Sequence, residues 1–111
     1  MAAKFELKKA SNGQIYFNLK AANGEVILTS EQYKELAGAK NGIESVKANA
    51  GDDANYERKT ATNGQHFFVL KAKNKEPIGK SELYTTPQAM EKGIASVKAN
   101  AAGATVQEPT A

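Results

Sequence analysis

Several residue types that support chemistry or membrane insertion are scarce or missing in this chain of 111 residues. It has no cysteine, which excludes disulfides, thiolate catalysis and cysteine-ligated metal. No apolar run approaches the roughly 20 residues of a membrane-spanning helix, and Met1–Phe5 lacks the apolar core of a signal peptide. The sequence therefore predicts a soluble, cytoplasmic protein without membrane association.

A large excess of charge of either sign is also missing. Lysine and arginine number 15 against 12 acidic residues, which gives a net charge of +3. The excess is shared between the two halves, so neither end forms a basic or acidic tail. This mild excess permits weak nucleic-acid binding without arguing for it, and the partner stays unknown.

What the chain does contain is an internal duplication. Residues 5–53 align without a gap onto residues 56–104, with NGQ, LKA and SVKANA present in both copies. A unit of about 50 residues is marginal alone, so two units that share one core are expected. We predict one domain over residues 1–111, built from repeats 4–54 and 55–108, with a disordered tail at 109–111. Because the second repeat takes the place of a dimer partner within the same chain, we predict a monomer with an internal pseudo-dimer and two-fold pseudosymmetry.

Each repeat shows the pattern of three short strands. In the first copy Phe5 and Leu7 alternate with polar residues, and an Asn-Gly turn precedes a second alternating strand over 14–21. A third strand follows over 25–29. In the second copy Pro77 marks an edge strand or a strand end, and Lys75 in place of Gly24 predicts a turn of a different type.

A helix follows the third strand in each copy, with apolar residues at helical spacing over 36–50 and 90–101. Thr86 is predicted to cap the second helix, and Pro87 suits its first turn. After the second helix, Thr105 and Val106 favour a short terminal strand. The first repeat's own last strand is predicted to run on into the second repeat around 55–60.

Small and polar residues in the helices carry two further predictions. Gly42 and Gly93 occupy the same mid-helix position, where glycine costs about 1 kcal/mol relative to alanine. We interpret them as allowing a neighbouring element to approach closely. Asn49 and Asn100 lie near the helix ends, where asparagine can take a left-handed conformation.

The motifs together resemble the YegP-like family of small uncharacterised bacterial proteins. The matching segments are Phe17–Ala21, Ser30–Tyr33, Gly42–Ala50, Phe68–Ala72, Ser81–Tyr84 and Gly93–Ala101. The resemblance implies an α+β fold of two tandem β3-α-β repeats. These would form a single antiparallel sheet with exchanged C-terminal strands and both helices on one face. It implies no activity and no cofactor.

The sheet face opposite the helices is the candidate binding surface, formed by Tyr16, Asn18, Lys20, Phe67, Val69 and Lys71. Aromatic rings and lysines on an open sheet can stack unpaired bases, which makes single-stranded nucleic acid one alternative partner. A protein partner at this semi-apolar face is another. We favour an ordinary solvated face in which Glu6 and Glu57 pair with the lysines across strands.

Residues that suggest catalysis are few. His66 takes the place of Ile15, and a partly buried histidine with a local hydrogen bond is the favoured interpretation over a catalytic base. The Ser-Glu-x-Tyr words at Ser30 and Ser81 are interpreted as turns and core-edge packing. We assign no catalytic, cofactor or metal residue. The predicted function is a non-enzymatic binding or accessory module acting through the open sheet face, with an enzyme pocket near His66 as an alternative.

Overall fold

The computed structural model describes residues 3–107, which form one sheet and two helices. The strands are β1 (Lys4–Lys9), β2 (Ile15–Lys20), β3 (Val26–Ser30), β4 (Tyr56–Thr60), β5 (His66–Lys71), β6 (Pro77–Lys80) and β7 (Thr105–Gln107). The helices are α1 (Leu36–Asn49) and α2 (Pro87–Asn100), and a 3₁₀ helix (Asp53–Asn55) precedes β4.

The two repeats meet in the middle of the sheet, where β3 pairs antiparallel with β6. The strand order is β4-β5-β6-β3-β2-β1-β7. Thr29 lies directly opposite Lys80, and these two residues occupy equivalent positions in the repeats. The pseudo-two-fold axis therefore passes through this pair. The predicted α+β fold of two tandem repeats in one sheet is confirmed.

The strand exchange occurs on one side only. The last strand of the second repeat, β7, pairs with β1 of the first repeat, as predicted, but it runs parallel to β1. The sheet is therefore mixed, and the prediction of a purely antiparallel sheet is corrected. The physical reason is that β7 follows a helix that has recrossed the sheet, so it enters in the direction of β1.

The predicted continuous strand at the junction of the repeats is also wrong. Residues 53–55 form the 3₁₀ helix, whose first turn is capped by the Asp52 side chain accepting a hydrogen bond from the Ala54 N–H at 3.0 Å. The first repeat thus has no strand of its own to exchange. In consequence β4 forms one edge of the sheet.

Both helices pack on the same face and share one core. Inward residues of β2 and β5, including Phe17 and Phe68, are buried in a cluster with Ile43 of α1 and Ile94 of α2. Alternation with period two explains why these strand residues face the helices. The predicted limits of the two repeats stay a prediction, and residues 108–111, including the predicted tail, lie outside the described residues.

The ends of the helices and of β6 test three predictions. Thr86 caps α2, since its side chain accepts a hydrogen bond from the Ala89 N–H at 3.1 Å. Pro77 begins β6 in the interior of the sheet, so it marks a strand end. The left-handed conformation expected at Asn49 and Asn100 is wrong.

Those two asparagines instead bond back into their own helices. The Asn49 side-chain amide donates to the Ser45 carbonyl at 2.8 Å, and Asn100 makes the same bond to Ser96. The residue after Asn49, Ala50, keeps helical angles. The amide group competes for helix carbonyls here rather than stabilising a reversal of the chain.

The turn at Lys75 has the same conformation as its counterpart at Gly24, which contradicts the prediction. Lys75 has φ +70° and Gly24 has φ +86°. Each turn is closed by a 2.9 Å backbone bond, from Ala72 to Glu76 in the second copy and between the equivalent residues in the first. The hydrogen bonds of the hairpin impose the left-handed angle, and Lys75 carries the steric strain that glycine avoids.

We expect Lys75→Gly to raise the free energy of unfolding by about 0.5–1 kcal/mol. The relief of the left-handed strain exceeds the extra chain entropy that glycine brings to the unfolded state. Urea denaturation measures the change, and Gly24→Lys is the matched variant, with the opposite sign expected. A less stable Lys75→Gly protein would contradict this account.

Candidate functional site

The open face of the sheet carries one continuous row of side chains. Residues paired directly across neighbouring strands point to the same face. One such row crosses all seven strands and consists of Gln107, Glu6, Asn18, Thr29, Lys80, Val69 and Glu57. The row therefore runs through the pseudo-two-fold axis and across both repeats.

The six predicted surface residues lie on this face, but in two separate groups. Tyr16, Asn18 and Lys20 are on β2, whereas Phe67, Val69 and Lys71 are on β5. Two strands, β3 and β6, lie between them. With a spacing of about 4.8 Å between strands, β2 and β5 are roughly 14 Å apart. The two aromatic rings therefore belong to two patches and do not form one stacking platform.

The carboxylates on this face are paired with lysines, as the favoured interpretation expects. Glu6 lies 3.0 Å from Lys20 and 3.4 Å from Lys8. Glu57 lies 2.7 Å from Lys71, whose hydrogen bond is the main reason why the pKa of Glu57 is lowered. Lys20 lowers the pKa of Glu6 in the same way. Lys20 and Lys71 are therefore already engaged within the protein.

Positive charge is nevertheless concentrated here. The outward-facing strand residues include two glutamates and the lysines Lys4, Lys8, Lys20, Lys59, Lys71 and Lys80. Six lysines against two glutamates leave four positive charges, compared with +3 for the whole chain. Lys80 is exposed and has no ion pair within the described part of the chain. Glu82, which lines a depression on this face, offsets one of these charges, so the open face carries an excess of positive charge.

Two shallow depressions occupy equivalent places on this face. One of about 510 Å³ includes Tyr16, Thr29, Ser30 and Gln32 in its lining. The other, of about 280 Å³, is lined by Phe67, Lys80, Ser81, Glu82 and Leu83.

The two depressions differ in chemistry. Lys80 replaces Thr29 and Leu83 replaces Gln32, so the second depression is more apolar, and its lysine lies in the same lining as Glu82. Leu83 has half of its surface exposed. Lys80 and Leu83 do not belong to the surface predicted from the sequence. Comparing the repeats position by position is the signal that finds them.

The Ser-Glu-x-Tyr motifs make hydrogen bonds and ring contacts that stabilise the fold. Ser30 Oγ accepts a hydrogen bond from the Phe17 N–H at 2.8 Å and donates to the Glu31 carbonyl at 2.7 Å. The Tyr33 ring stacks on Phe17, with centroids 6.4 Å apart. The same contacts recur in the second copy. These motifs therefore have a structural role in packing, as predicted.

The mid-helix glycines make room for those tyrosines. A Cβ at Gly42 would lie 2.8 Å from Tyr33 Cζ and closer still to its hydroxyl, and Gly93 stands in the same relation to Tyr84. Burial in this contact raises the pKa of both tyrosines. The interpretation of these glycines as sites of close approach is confirmed.

We expect Gly42→Ala to lower the free energy of unfolding by about 1–3 kcal/mol, because the added methyl group displaces Tyr33. Helix propensity alone would change stability in the opposite direction. The matched control is Gly38→Ala, where a Cβ meets Tyr33 at 3.4 Å and the second repeat already has Ala89. Thermal or urea unfolding distinguishes the two, and equal effects would contradict the contact.

His66 is half-buried at the start of β5. Its Nδ1 lies 3.4 Å from Thr60 Oγ1, and its backbone exchanges two 2.7 Å hydrogen bonds with Tyr84. Within residues 3–107 no other side chain hydrogen-bonds to the ring. This environment matches the structural interpretation of a histidine with a local hydrogen bond.

The described residues contain neither a cluster of metal-ligating side chains nor a helix that could span a membrane. No group of three or more histidine, aspartate or glutamate side chains lies close enough together there to hold a metal ion. No helix in that part of the chain is long and apolar enough to cross a membrane.

Charged residues protect the free edge at β4. Arg58 binds Glu91 of α2 at 2.9 Å and Asp53 at 3.0 Å, and Lys98 also binds Asp53, at 2.8 Å. Arg58, and then Lys98, lowers the pKa of Asp53 to about 2. The equivalent residue in the first repeat is Leu7, which is buried. A charged network is a common means of preventing strands from adding to a sheet edge.

The architecture defines a class of protein: a tandem-repeat α+β protein with two helices on one face of a single sheet. The family described as "Domain of unknown function (DUF1508)" matches the chain twice, over residues 10–57 and 61–108. The UPF0339 protein YegP of Shigella flexneri is 53% identical over 110 residues, covering 99% of this chain and 100% of the relative. The chain therefore belongs to the UPF0339 (DUF1508) family, which confirms the resemblance.

Further relatives agree in sequence and in structure. A UPF0339 protein of Acinetobacter baylyi is 51% identical over 110 residues, which are 99% of each chain. The solution NMR structure of YegP from E. coli, described as a protein of unknown function, has a TM-score of 0.93 and 50% identity, covering 100% of this chain and 97% of that one. A UPF0339 protein from Shewanella oneidensis gives a TM-score of 0.90 at 46% identity, covering 97% and 92%.

Proposed function

We propose that this protein is a non-enzymatic binding module that contacts an anionic partner through the open sheet face. The observation that carries the proposal is the concentration of positive charge on that face, where six lysines outnumber the glutamates Glu6, Glu57 and Glu82. Such a surface attracts an anionic partner and speeds its association. The half-exposed Leu83, beside Phe67 and Lys80, adds an apolar contact at one depression.

The environment of the titratable groups supports binding over catalysis. A general base needs a reacting group within hydrogen-bond reach and an oriented partner. His66 has Thr60 beside it, and Glu6 and Glu57 are neutralised by lysines. The charged network at the β4 edge and the fused repeats support a monomer as the acting form.

Amide shifts in NMR spectra test the proposal, with a ten-residue polyglutamate peptide as an anionic probe at low salt. We expect shifts within 16–20, 67–71 and 80–83, and weaker binding by the double variant Lys80→Thr with Leu83→Gln. These changes introduce the residues of the first repeat, so the fold should tolerate them. Each contact to a charged group contributes about 1.5–3 kcal/mol when well made, so a loss of at least severalfold is expected.

The matched control is Lys92→Asn, which also removes one positive charge in favour of the first-repeat residue, but on α2. It should bind the peptide as the parent protein does. Shifts confined to the helices, or an equal effect of the control, would contradict a sheet-face site.

Single-stranded nucleic acid is a second candidate partner, favoured by the aromatic ring beside lysines in each patch. Tyr16 lies near Lys8 across the β1–β2 pair, and Phe67 lies near Lys59 across the β4–β5 pair. Bases stack on such rings while lysines hold the phosphates. The pairing of Lys20 and Lys71 with glutamates weakens this candidate, because those charges are already offset.

A ten-nucleotide oligothymidine tests that candidate by fluorescence anisotropy at several salt concentrations. With at most six lysines engaged, the slope of log affinity against log salt should be no steeper than about −4. Lys20→Ala with Lys71→Ala should abolish binding, and Tyr16→Leu with Phe67→Leu should weaken it without changing the slope. Binding that does not depend on salt, or that survives both double variants, would exclude this face.

A further inference from the structure

A third concavity lies at the corner of the sheet, where β4 begins beside the turn between β5 and β6. Its volume is about 490 Å³, and it is lined by Ala54, Asn55, Tyr56, Glu57, Lys71, Ala72, Lys73 and Lys75. Small-molecule sites commonly measure 300–1,000 Å³. The space is therefore large enough for a small ligand.

Three lysines surround this concavity, and two of them are particular to the second repeat. Lys71 corresponds to Lys20, whereas Lys73 and Lys75 correspond to Ala22 and Gly24. Neither Lys73 nor Lys75 has an ion pair within residues 3–107.

One acid lines the same space. Glu57 lies 2.7 Å from Lys71, and Glu76, the next acid along the turn, is not part of the lining. Three ammonium groups and one carboxylate leave two positive charges around the concavity.

The backbone supplies independent support. Within residues 3–107, Lys75 is the one residue other than glycine with a positive φ, +70°. Glycine makes the same turn in the first copy without strain. Strained residues cluster at functional sites, because the surrounding structure has to hold them in place. In the second copy, the strained residue Lys75 places an ammonium group at the rim of the concavity.

We propose that this corner binds the phosphate group of a small phosphorylated molecule, held by Lys73 and Lys75 with Lys71 behind them. Lysine is a compact, strongly hydrated point charge and a common phosphate ligand. A phosphate monoester carries about −1.5 to −2 at neutral pH, which matches the two uncompensated positive charges. Ala54 and Ala72 in the lining provide apolar surface for the rest of the ligand.

This inference goes beyond the proposed function and does not rest on it. Lys73 and Lys75 lie in the turn after β5, outside the row that crosses the open face. Both sites include Lys71, but Lys80→Thr with Leu83→Gln tests the open face and Lys73→Ala with Lys75→Gly tests the concavity, so either site can fail while the other stands.

Inorganic tripolyphosphate and ribose 5-phosphate, titrated at low salt into isotope-labelled protein, test the proposal. We expect saturable amide shifts within 54–57 and 71–75, and little change at the equivalent residues 3–6 and 20–24. The variant Lys73→Ala with Lys75→Gly should bind at least about tenfold more weakly, because each charged contact is a strong one. Lys75→Gly should also stabilise the fold, so that loss of binding cannot be attributed to unfolding.

Lys92→Asn again serves as the control for loss of one charge, and it should retain the affinity of the parent protein. Affinity of the double variant within about twofold of the parent, equal responses in the two repeats, or shifts that never saturate would overturn the proposal. A response to oligothymidine or to phosphatidic acid vesicles, with none to the two small phosphates, would also overturn it. Such a response would assign the lysines to a polymer or to a lipid surface.

Discussion

The antiparallel pairing of β3 with β6 is the contact on which the rest of the structure depends. It places Thr29 opposite Lys80, and it turns two marginal units of three strands and a helix into one sheet with one core. The same pairing brings the open faces of both repeats into one plane. Without it, the row from Gln107 to Glu57 and the concentration of lysines would not form one surface.

Joining two repeats in one chain removes part of the symmetry. The first repeat's final residues are needed as the connection to β4, so they form the 3₁₀ helix at Asp53–Asn55 and cannot pair as a strand. The first strand of the first repeat, β1, is covered by β7, whereas the first strand of the second repeat, β4, lies at the edge of the sheet. The replacement of buried Leu7 by Arg58, which pairs with Glu91, fits that difference. At the edge strand β4, a charged network therefore replaces the buried leucine of the first repeat.

The residues that differ between the two copies are found where specific chemistry is proposed. Residues that hold the fold, such as the tyrosines and the mid-helix glycines, are the same in both repeats and make the same contacts. Lys73, Lys75, Lys80 and Leu83 differ between the repeats and lie at surface concavities. A duplicated fold permits this division, because one copy can keep the original residues while the other changes.

The sequence by itself determined the duplicated unit, its elements and the inward and outward faces of the strands, since these follow from periods of two and 3.6 residues. It also indicated close approach at Gly42, because an unfavourable helix residue needs a packing reason. Only the tertiary structure decided the lateral order of the strands, which separates Tyr16 from Phe67, and the parallel entry of β7. It also decided the left-handed angle at Lys75, which the hairpin's backbone hydrogen bonds impose against the residue's own preference. These features depend on contacts between residues distant in the chain, and no local pattern encodes them.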